Sequence, residues 1–290
     1  MRIAIATCAQ MPTGFQEDEL AADLDATWVV WDDTSVEWDA FDVVVVRSVW
    51  DADQRRDEFV QWTRRIADDT RILNPPEVLE WNTDKRYLAE LPAGGLPTVP
   101  TRFLPPGHPL LPDVLEGLGD PAEFVVKPAQ SAGSRDTARF VSGDGLDAAA
   151  ALTAHIQGVG KVAMVQPYLE SVDTRGETAL LYFGGAYSHA IRKGQILKPG
   201  AKPFTGTDAA APAISALEPS RAERHLGDRV IAWLMQRFGT PLAYARVDLV
   251  GGVDGRPVVI ELELTEPQLY LPYAASASDR LASAIRALAR

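Results

Sequence analysis

Short apolar, β-branched runs punctuate the opening of the chain: Ile3 to Ala6, Trp28 to Trp31 and Val43 to Val46, each bounded by polar or turn-forming residues. Such runs suit strands covered on both faces, as in a parallel sheet. Residues 53–67 then change period, with Phe59, Trp62 and Ile66 recurring at helical spacing among mostly polar neighbours. This pattern predicts an α/β lobe that ends near Asn74-Pro75-Pro76, because paired prolines disfavour both a continuing helix and a central strand. A helix start follows at Trp81 to Leu88, with Asn82 or Thr83 as cap and Lys85 in the first turn. Pro97 to Pro109 reads as a proline-rich connection into a second lobe.

That second lobe combines strands at Phe124 to Pro128, Thr137 to Val141 and Lys161 to Gln166 with a helix from Gly145 to about Gln157. A third lobe opens with strands Glu177 to Phe183 and Ala186 to Lys193, joined at Gly184-Gly185, a pair suited to a hairpin turn. Gly194 to Ser215 is rich in Gly, Ala, Pro and Thr and reads as a loop that orders on binding. A helix from Ser220 to Phe238, a hairpin Ala243 to Val250 and Pro257 to Leu264, and a last helix at Ser276 to Leu288 complete the pattern. The resulting division is 1–78, 79–168 and 169–290.

Composition narrows the class. With 290 residues, 46% of them hydrophobic, the chain can bury an ample core spread over two or three lobes. A net charge of −12 argues against nucleic acid or an anionic membrane as partner. Any anionic ligand must be met by local basic residues. Cys8 alone excludes an internal disulfide, and His108, His155, His189 and His225 are too dispersed for a zinc spacing, which fits a reducing, cytoplasmic setting. The apolar start is too short for a signal peptide, and no run reaches membrane-spanning length.

Two distant signatures fit one site. In Ile260-Glu-Leu-Glu-Leu264, alternation puts Glu261 and Glu263 on one face; alone, this describes an amphipathic strand with a wet acidic side. Asp248 on the neighbouring hairpin strand changes the weighting, since three carboxylates in register are costly unless a cation neutralises them. Lys127 ends an apolar strand and leads into Ser131-Ala-Gly-Ser-Arg135, a loop whose Ser131, Gly133, Ser134 and Arg135 suit polyphosphate. A lone strand-end lysine is otherwise a snorkelling surface residue. Neither a Walker GxxxxGK[ST] nor a Rossmann GxGxxG is present. Gln166-Pro-Tyr-Leu169 lies where two lobes join and could hold a flat purine. Arg47, after the run Val43 to Val46, sits where open α/β sheets bind ligands and could pair bidentately with a substrate carboxylate. Ser48, Asp51, Thr265 and Glu266 are further substrate candidates, the last pair because it directly follows the acidic strand; helix capping and surface polarity explain each of these four equally well.

The order of these parts resembles the ATP-grasp superfamily, an α/β fold with an N-terminal α/β domain before the grasp lobes. It is nearest the glutathione-synthetase and ribosomal-protein-modifying ligase branch, from about residue 80 to the end. Arg47-Ser-Val-Trp-Asp51, Asn82-Thr-Asp-Lys85, Ser131 to Thr137 and Glu261 to Glu266 are similar to the cyclo-ligases that close O-ureidoserine in cycloserine biosynthesis. The resemblance implies ATP and Mg²⁺ as cofactors, with Mn²⁺ as the other candidate ion. It implies Lys85 and Lys127 on the α and β phosphates, the Ser131 to Arg135 loop over the β and γ phosphates, and Gln166, Tyr168 and Leu169 around adenine. Glu177, or its rival Asp173, would meet the ribose, Arg192 would stabilise the transition state, and Asp248, Glu261 and Glu263 would bind magnesium. The family usually has Asn where this chain has Glu263.

The implied activity joins a carboxylate to a nitrogen through an acyl phosphate, releasing ADP and phosphate. The partner is a small molecule carrying carboxylate and amine, and a homo-oligomer stays open. A small-molecule phosphotransferase or a non-catalytic nucleotide-binding module of the same fold are the alternatives.

Overall fold

A computed structural model describes residues 1–15, 18–198 and 212–290. The opening runs form four strands, β1 (Ile3–Thr7), β2 (Thr27–Val30), β3 (Val43–Ser48) and β4 (Arg71–Leu73), interleaved with α1 (Asp18–Leu24) and α2 (Arg56–Ile66). They pair in parallel in the order β2-β1-β3-β4. Both faces are covered, which is why the runs are apolar at every position. Val44 and Val46 pack with Phe59, Trp62 and Ile66 of α2, whereas Val43 and Val45 pack with Leu20 and Leu24 of α1 and with the C-terminal part of the chain.

The first sheet's last strand ends at Leu73, and the proline pair that follows also begins an element: α3 (Pro76–Asn82) carries Pro76 at its first position, where no amide donor is needed. Asn82 and Thr83 therefore close a helix and do not cap the next. Lys85 opens a 3₁₀ turn, Lys85–Ala89, capped by Asp84, whose carboxylate accepts from Arg86 N at 3.0 Å.

The second sheet comprises β5 (Arg102–Leu104), β6 (Glu123–Pro128), β7 (Ala138–Val141) and β8 (Ala163–Pro167), antiparallel in the order β5-β8-β6-β7. Its core joins Phe124, Val126 and Phe140 to Leu115 of α4 (Pro112–Glu116) and to Leu152 and Ile156 of α5 (Leu146–Gly158). The opposite side of β6 carries Val125 and Lys127.

After α6 (Ser171–Arg175), a short helix with no apolar periodicity to announce it, comes the largest sheet. It contains β9 (Glu177–Phe183), β10 (Ala186–Lys193), β11 (Ile214–Leu217), β12 (Tyr244–Gly251) and β13 (Pro257–Glu263), antiparallel in the order β11-β10-β9-β12-β13. Most of the expected loop at 194–215 lies outside the described residues, at 199–211, but its end is strand β11, a half-exposed edge too short and mixed to be read as one. One face packs Leu180, Tyr182 and Val247 against α7 (Arg221–Phe238), whose Ser220 and Glu223 form a reciprocal capping box. The other packs Ala179, Leu181 and Ile191 with Ile285 of α8 (Ala277–Leu288).

β13 is an edge strand, yet it is not left open. Asn82 Nδ2 donates to Leu262 O at 2.8 Å and its Oδ1 accepts from Leu264 N at 2.7 Å. Tyr87 OH likewise donates to Leu262 O and accepts from Leu262 N. Val99 N donates to Val259 O at 3.0 Å, and Val259 N to Pro97 O at 2.9 Å. The segment between the first two sheets thus pins the strand that bears Glu261 and Glu263.

Candidate functional site

Strand register decides which side chains meet. Asp248 pairs across the hairpin with Glu261, and Arg246 pairs with Glu263; Asp248 also faces Ala179 on β9, which faces Ile191 on β10. Counting by twos along each strand puts Glu177, Lys193, Arg246, Asp248, Glu261 and Glu263 on one face. The expected meeting of the three acids on paired strands is therefore present in the register.

Their charges are answered by three cations. Lys193 Nζ lies 2.7 Å from Asp248 Oδ2 and 2.8 Å from Glu177 Oε2. Arg246 Nε meets Asp248 Oδ1 at 2.9 Å, and its Nη2 reaches both Asp248 and Glu263. Lys85 Nζ is 3.1 Å from Glu261 Oε1 and donates to Ser131 O at 2.5 Å, tying the acidic strand to the small-residue loop. Among the described residues no three His, Cys, Asp or Glu side chains close as a metal cluster. Asp248 is only 1% exposed and fully engaged, whereas Glu261 and Glu263 keep 26% and 30% of their side-chain surface. An all-oxygen set on adjacent strands fits a hard divalent cation in donor chemistry.

Burial and neighbours pull these groups apart. Burial would raise the Asp248 carboxyl, but Arg246 and Lys193 outweigh it and hold it at about 2. Glu261 is lowered in the same way, against burial, by Lys85 and Lys127. Glu263 is pushed up to about 7 by burial and by the Asp248 and Glu261 charges, despite Arg246. Glu266 is pushed up to about 8 by burial and by Glu263. Burial lowers Lys127, which has Lys85 and Lys193 as cationic neighbours; Lys85, equally buried, is raised because Glu261 more than compensates.

The loop between β6 and β7 is built for close backbone approach. Gly133 and Ser134 both adopt left-handed conformations, with φ of 61° and 59°, and a Cβ on Gly133 would meet nothing within 4 Å. Ser131 Oγ donates to Arg135 O at 3.0 Å. Gln166 on β8 is buried and donates to Thr101 Oγ1 at 2.9 Å, while Leu169 packs with Val99, Val172 and Val250. Tyr168 lies under the Arg139 guanidinium, 3.5 Å from the ring centre, and donates to Asp173. Asp173 is also gripped by Arg139 at 3.0 Å, whereas Glu177 shares Lys193 with Asp248.

Arg192 is not brought to this face. It pairs with Thr178, on the α7 side of the sheet, and its Nη1 donates to Arg175 O. Strand alternation sends its neighbour Lys193 to the acids instead. Arg246 and Lys193 are the site cations that the sequence reading missed. The signal was available for Arg246, two residues before Asp248 and hence on the same face, but for Lys193 it required the β9 to β10 register.

The substrate candidates cluster near the end of β3 with differing freedom. Arg47 is buried, donates to Pro267 O at 2.6 Å and lies 4.6 Å from the Tyr244 ring centre. Ser48 is buried and accepts from Phe15 N, and Asp51 accepts from Trp31 Nε1 at 2.9 Å and meets Arg55 at 3.3 Å. Thr265 donates to Asn82 Oδ1 at 3.2 Å. Glu266 stands beside Glu263, and Asp53, overlooked in the sequence, joins this corner from the loop after β3.

A parallel sheet followed by two antiparallel sheets is the arrangement of the ATP-grasp fold. Solved structures agree: D-alanine–D-alanine ligase from Bacillus anthracis complexed with ATP superposes with a TM-score of 0.70 at 18% identity, covering 100% of this chain and 96% of that one. An ATP-grasp RimK domain protein from Sphaerobacter thermophilus does so at 0.65 and 14% identity, covering 99% and 100%. At such identities the likeness establishes the fold alone. The family described as the D-cycloserine synthetase DcsG N-terminal domain matches residues 3–74. Cycloserine biosynthesis protein DcsG of Streptomyces lavendulae is 38% identical over 260 residues, 88% of this chain and 86% of that protein. The crystal structure of D-cycloserine synthetase DcsG superposes with a TM-score of 0.92 at 34% identity, covering 100% of both chains. The chain belongs to the DcsG family of ATP-grasp ligases, and is an ATP-dependent ligase. No helix among the described residues is long and apolar enough to cross a membrane.

Proposed function

We propose that the protein closes a small amino-acid-like molecule on itself, joining its carboxylate to its own nitrogen as in the conversion of O-ureidoserine to cycloserine. The observation that carries the ligase chemistry is the single sheet face on which Lys193 and Arg246 meet Asp248, Glu177 and Glu263, with Lys85 bridging Glu261 to the Ser131 loop. The match of residues 3–74 to the DcsG N-terminal family supports the substrate. We take the three sheets to mark lobes 1–78, 79–168 and 169–290, with the site between them. The single buried cysteine fits a cytoplasmic setting.

In this reading Lys85 and Lys127 contact the α and β phosphates, and Ser131, Gly133, Ser134 and Arg135 cover the β and γ phosphates. Gln166, Tyr168 and Leu169 frame adenine, and Glu177 meets the ribose. Asp248, Glu261 and Glu263 would hold the divalent ion, Mg²⁺ or Mn²⁺, which when bound would supply charge neutralisation for the nucleotide phosphates. The substrate carboxylate attacks the γ phosphorus and ADP leaves; the oxygen-bound ureido nitrogen then attacks the acyl carbon, its proton passes to solvent and phosphate leaves, after which water removes the carbamoyl group from that nitrogen as carbon dioxide and ammonia. Lys193 and Arg246 take the charge-stabilising role that the family resemblance implied for Arg192. Arg47, Ser48, Asp51, Thr265 and Glu266 shape the substrate end.

Incubation with O-ureidoserine and Mg-ATP is expected to give ADP, phosphate and cycloserine, with the carbamoyl group of the ureido nitrogen released by water as carbon dioxide and ammonia, and hydroxylamine to divert the acyl phosphate into a hydroxamate. A stable phosphorylated product with no hydroxamate would make the protein a phosphotransferase instead.

A further inference from the structure

Two loops that no strand connects are locked together beside the site. Trp50 Nε1 donates to Glu266 O at 3.2 Å and Arg47 Nη2 to Pro267 O at 2.6 Å, so the loop after β3 lies against residues 266–267. Asp53, on that first loop, has a side chain only 6% exposed. Its Oδ2 lies 3.4 Å from Ala132 N and 3.5 Å from Arg135 Nε, both long contacts to the phosphate-type loop. Its Oδ1 is buried and has no hydrogen-bond partner among the described residues. Buried carboxylate oxygens are not left without a donor unless something else supplies one.

We infer that Asp53 and Glu266 form the subsite for the ammonium group of an amino-acid substrate, an inference that rests on the ligase reading above. The charge at this corner favours a monocation. Arg246 is engaged by Asp248 and Glu263, and Lys85 by Glu261, while Asp53 meets Arg135 only at 3.5 Å through Oδ2 and keeps Oδ1 without a donor among the described residues. Glu266 is brought to the same corner by the bond to its own carbonyl oxygen from Trp50 Nε1, three residues before Asp53 on the facing loop. An ammonium offers three rotatable donors and so can satisfy both carboxylates at once. The corner stands at the C-terminal end of a parallel strand, where open α/β sheets take their ligands, and adjoins Glu263 of the acidic face.

The test compares O-ureidoserine with its desamino analogue, 3-(ureidooxy)propanoic acid, by ADP release in the intact protein and in Asp53→Asn, Glu266→Gln and Asp53→Glu. The unaltered protein should favour the ammonium-bearing compound by about 100-fold or more in kcat/KM, as sites built around a polar group reject analogues lacking it. Asp53→Asn and Glu266→Gln should each shrink that ratio about tenfold or more, mainly through KM, with Asp53→Glu partly restoring it. An unchanged ratio in both neutral variants overturns the subsite. So does an equal fall for both compounds accompanied by weaker Mg-ATP binding, which would make Asp53 a loop latch, or a changed Mg²⁺ requirement at constant ratio. If the unaltered protein releases ADP with neither compound, the ligase reading falls, and the same ratio taken from dissociation constants by calorimetry still decides the subsite.

Discussion

Lys193 Nζ sits 2.7 Å from Asp248 Oδ2, whereas its sequence neighbour Arg192 leaves the opposite face of the strand. Two adjacent cations on one strand therefore have separate fates. Lys193→Met and Arg246→Met should each reduce ADP release by about 100-fold or more, the scale of a lost charge-stabilising donor. Arg192→Ala should stay within about threefold, since it removes a solvent-side contact whose worth is small. Steady-state kinetics with thermal melts separates turnover from folding. A large loss in Arg192→Ala with Lys193→Met unaffected would reverse the assignment.

The edge strand makes a stability prediction. Asn74, buried and left-handed at φ 58°, donates to Tyr244 O at 2.9 Å and Leu264 O at 2.8 Å, and accepts from Ala243 N at 2.8 Å. Asparagine tolerates that conformation better than other non-glycine residues. Asn74→Ala should destabilise the protein by about 2–4 kcal/mol in urea titration, because it strands buried backbone groups as well as removing bonds. A loss under about 0.5 kcal/mol would mean that water replaces the side chain without penalty.

The strands were legible because their chemistry is local: Val43 to Val46 is apolar throughout, and Glu261-Leu-Glu263 alternates. The same locality brought Asp248 and Glu261 together, since a hairpin brings its own strands into pairing. What sequence could not supply was register between strands distant in sequence. Lys193 reaches Asp248 through β9, and Asp53 reaches Ala132 across 79 residues. The reading of Asn82 as a cap failed for a related reason: its amide is spent on the Leu262 and Leu264 backbone of a strand 180 residues away.

A buried histidine and a partly buried glutamate bracket the pH range of the folded state. His189, whose ring contacts Leu269 O at 3.0 Å, is pulled down from 6.5 to about 4 by burial. Its contribution is present above the unfolded value and is lost as pH falls towards 4, because the unfolded chain binds the proton first. Glu266 shifts the other way, to about 8, so its contribution is full below its unfolded value of 4.5 and is lost as pH rises through 8. Melting temperature should therefore fall on both flanks, with His189→Asn flattening the acid side and Glu266→Gln the alkaline side. Unchanged slopes in both variants would show that other groups control the profile.

Gly176 ties backbone geometry to the site. Its φ is +70°, and a Cβ there would stand 2.3 Å from the carbonyl oxygen of Lys193 and 3.0 Å from Arg192 Cδ. The first is backbone and cannot swing away, so Gly176→Ala must displace the end of β10 or the start of β9, adding clash to an unfavourable conformation. Both strands carry site residues, Lys193 on one and Glu177 on the other, with Nζ and Oε2 2.8 Å apart. The variant should lose about 1–3 kcal/mol of stability and also raise KM for ATP more than a surface substitution of equal destabilisation does. Measuring both against Gly160→Ala, which also has positive φ but meets nothing within 4 Å of its Cβ, isolates the contact from the conformational cost. Equal effects of the two substitutions on KM would show that the close approach of Gly176 to Lys193 does not position the lysine.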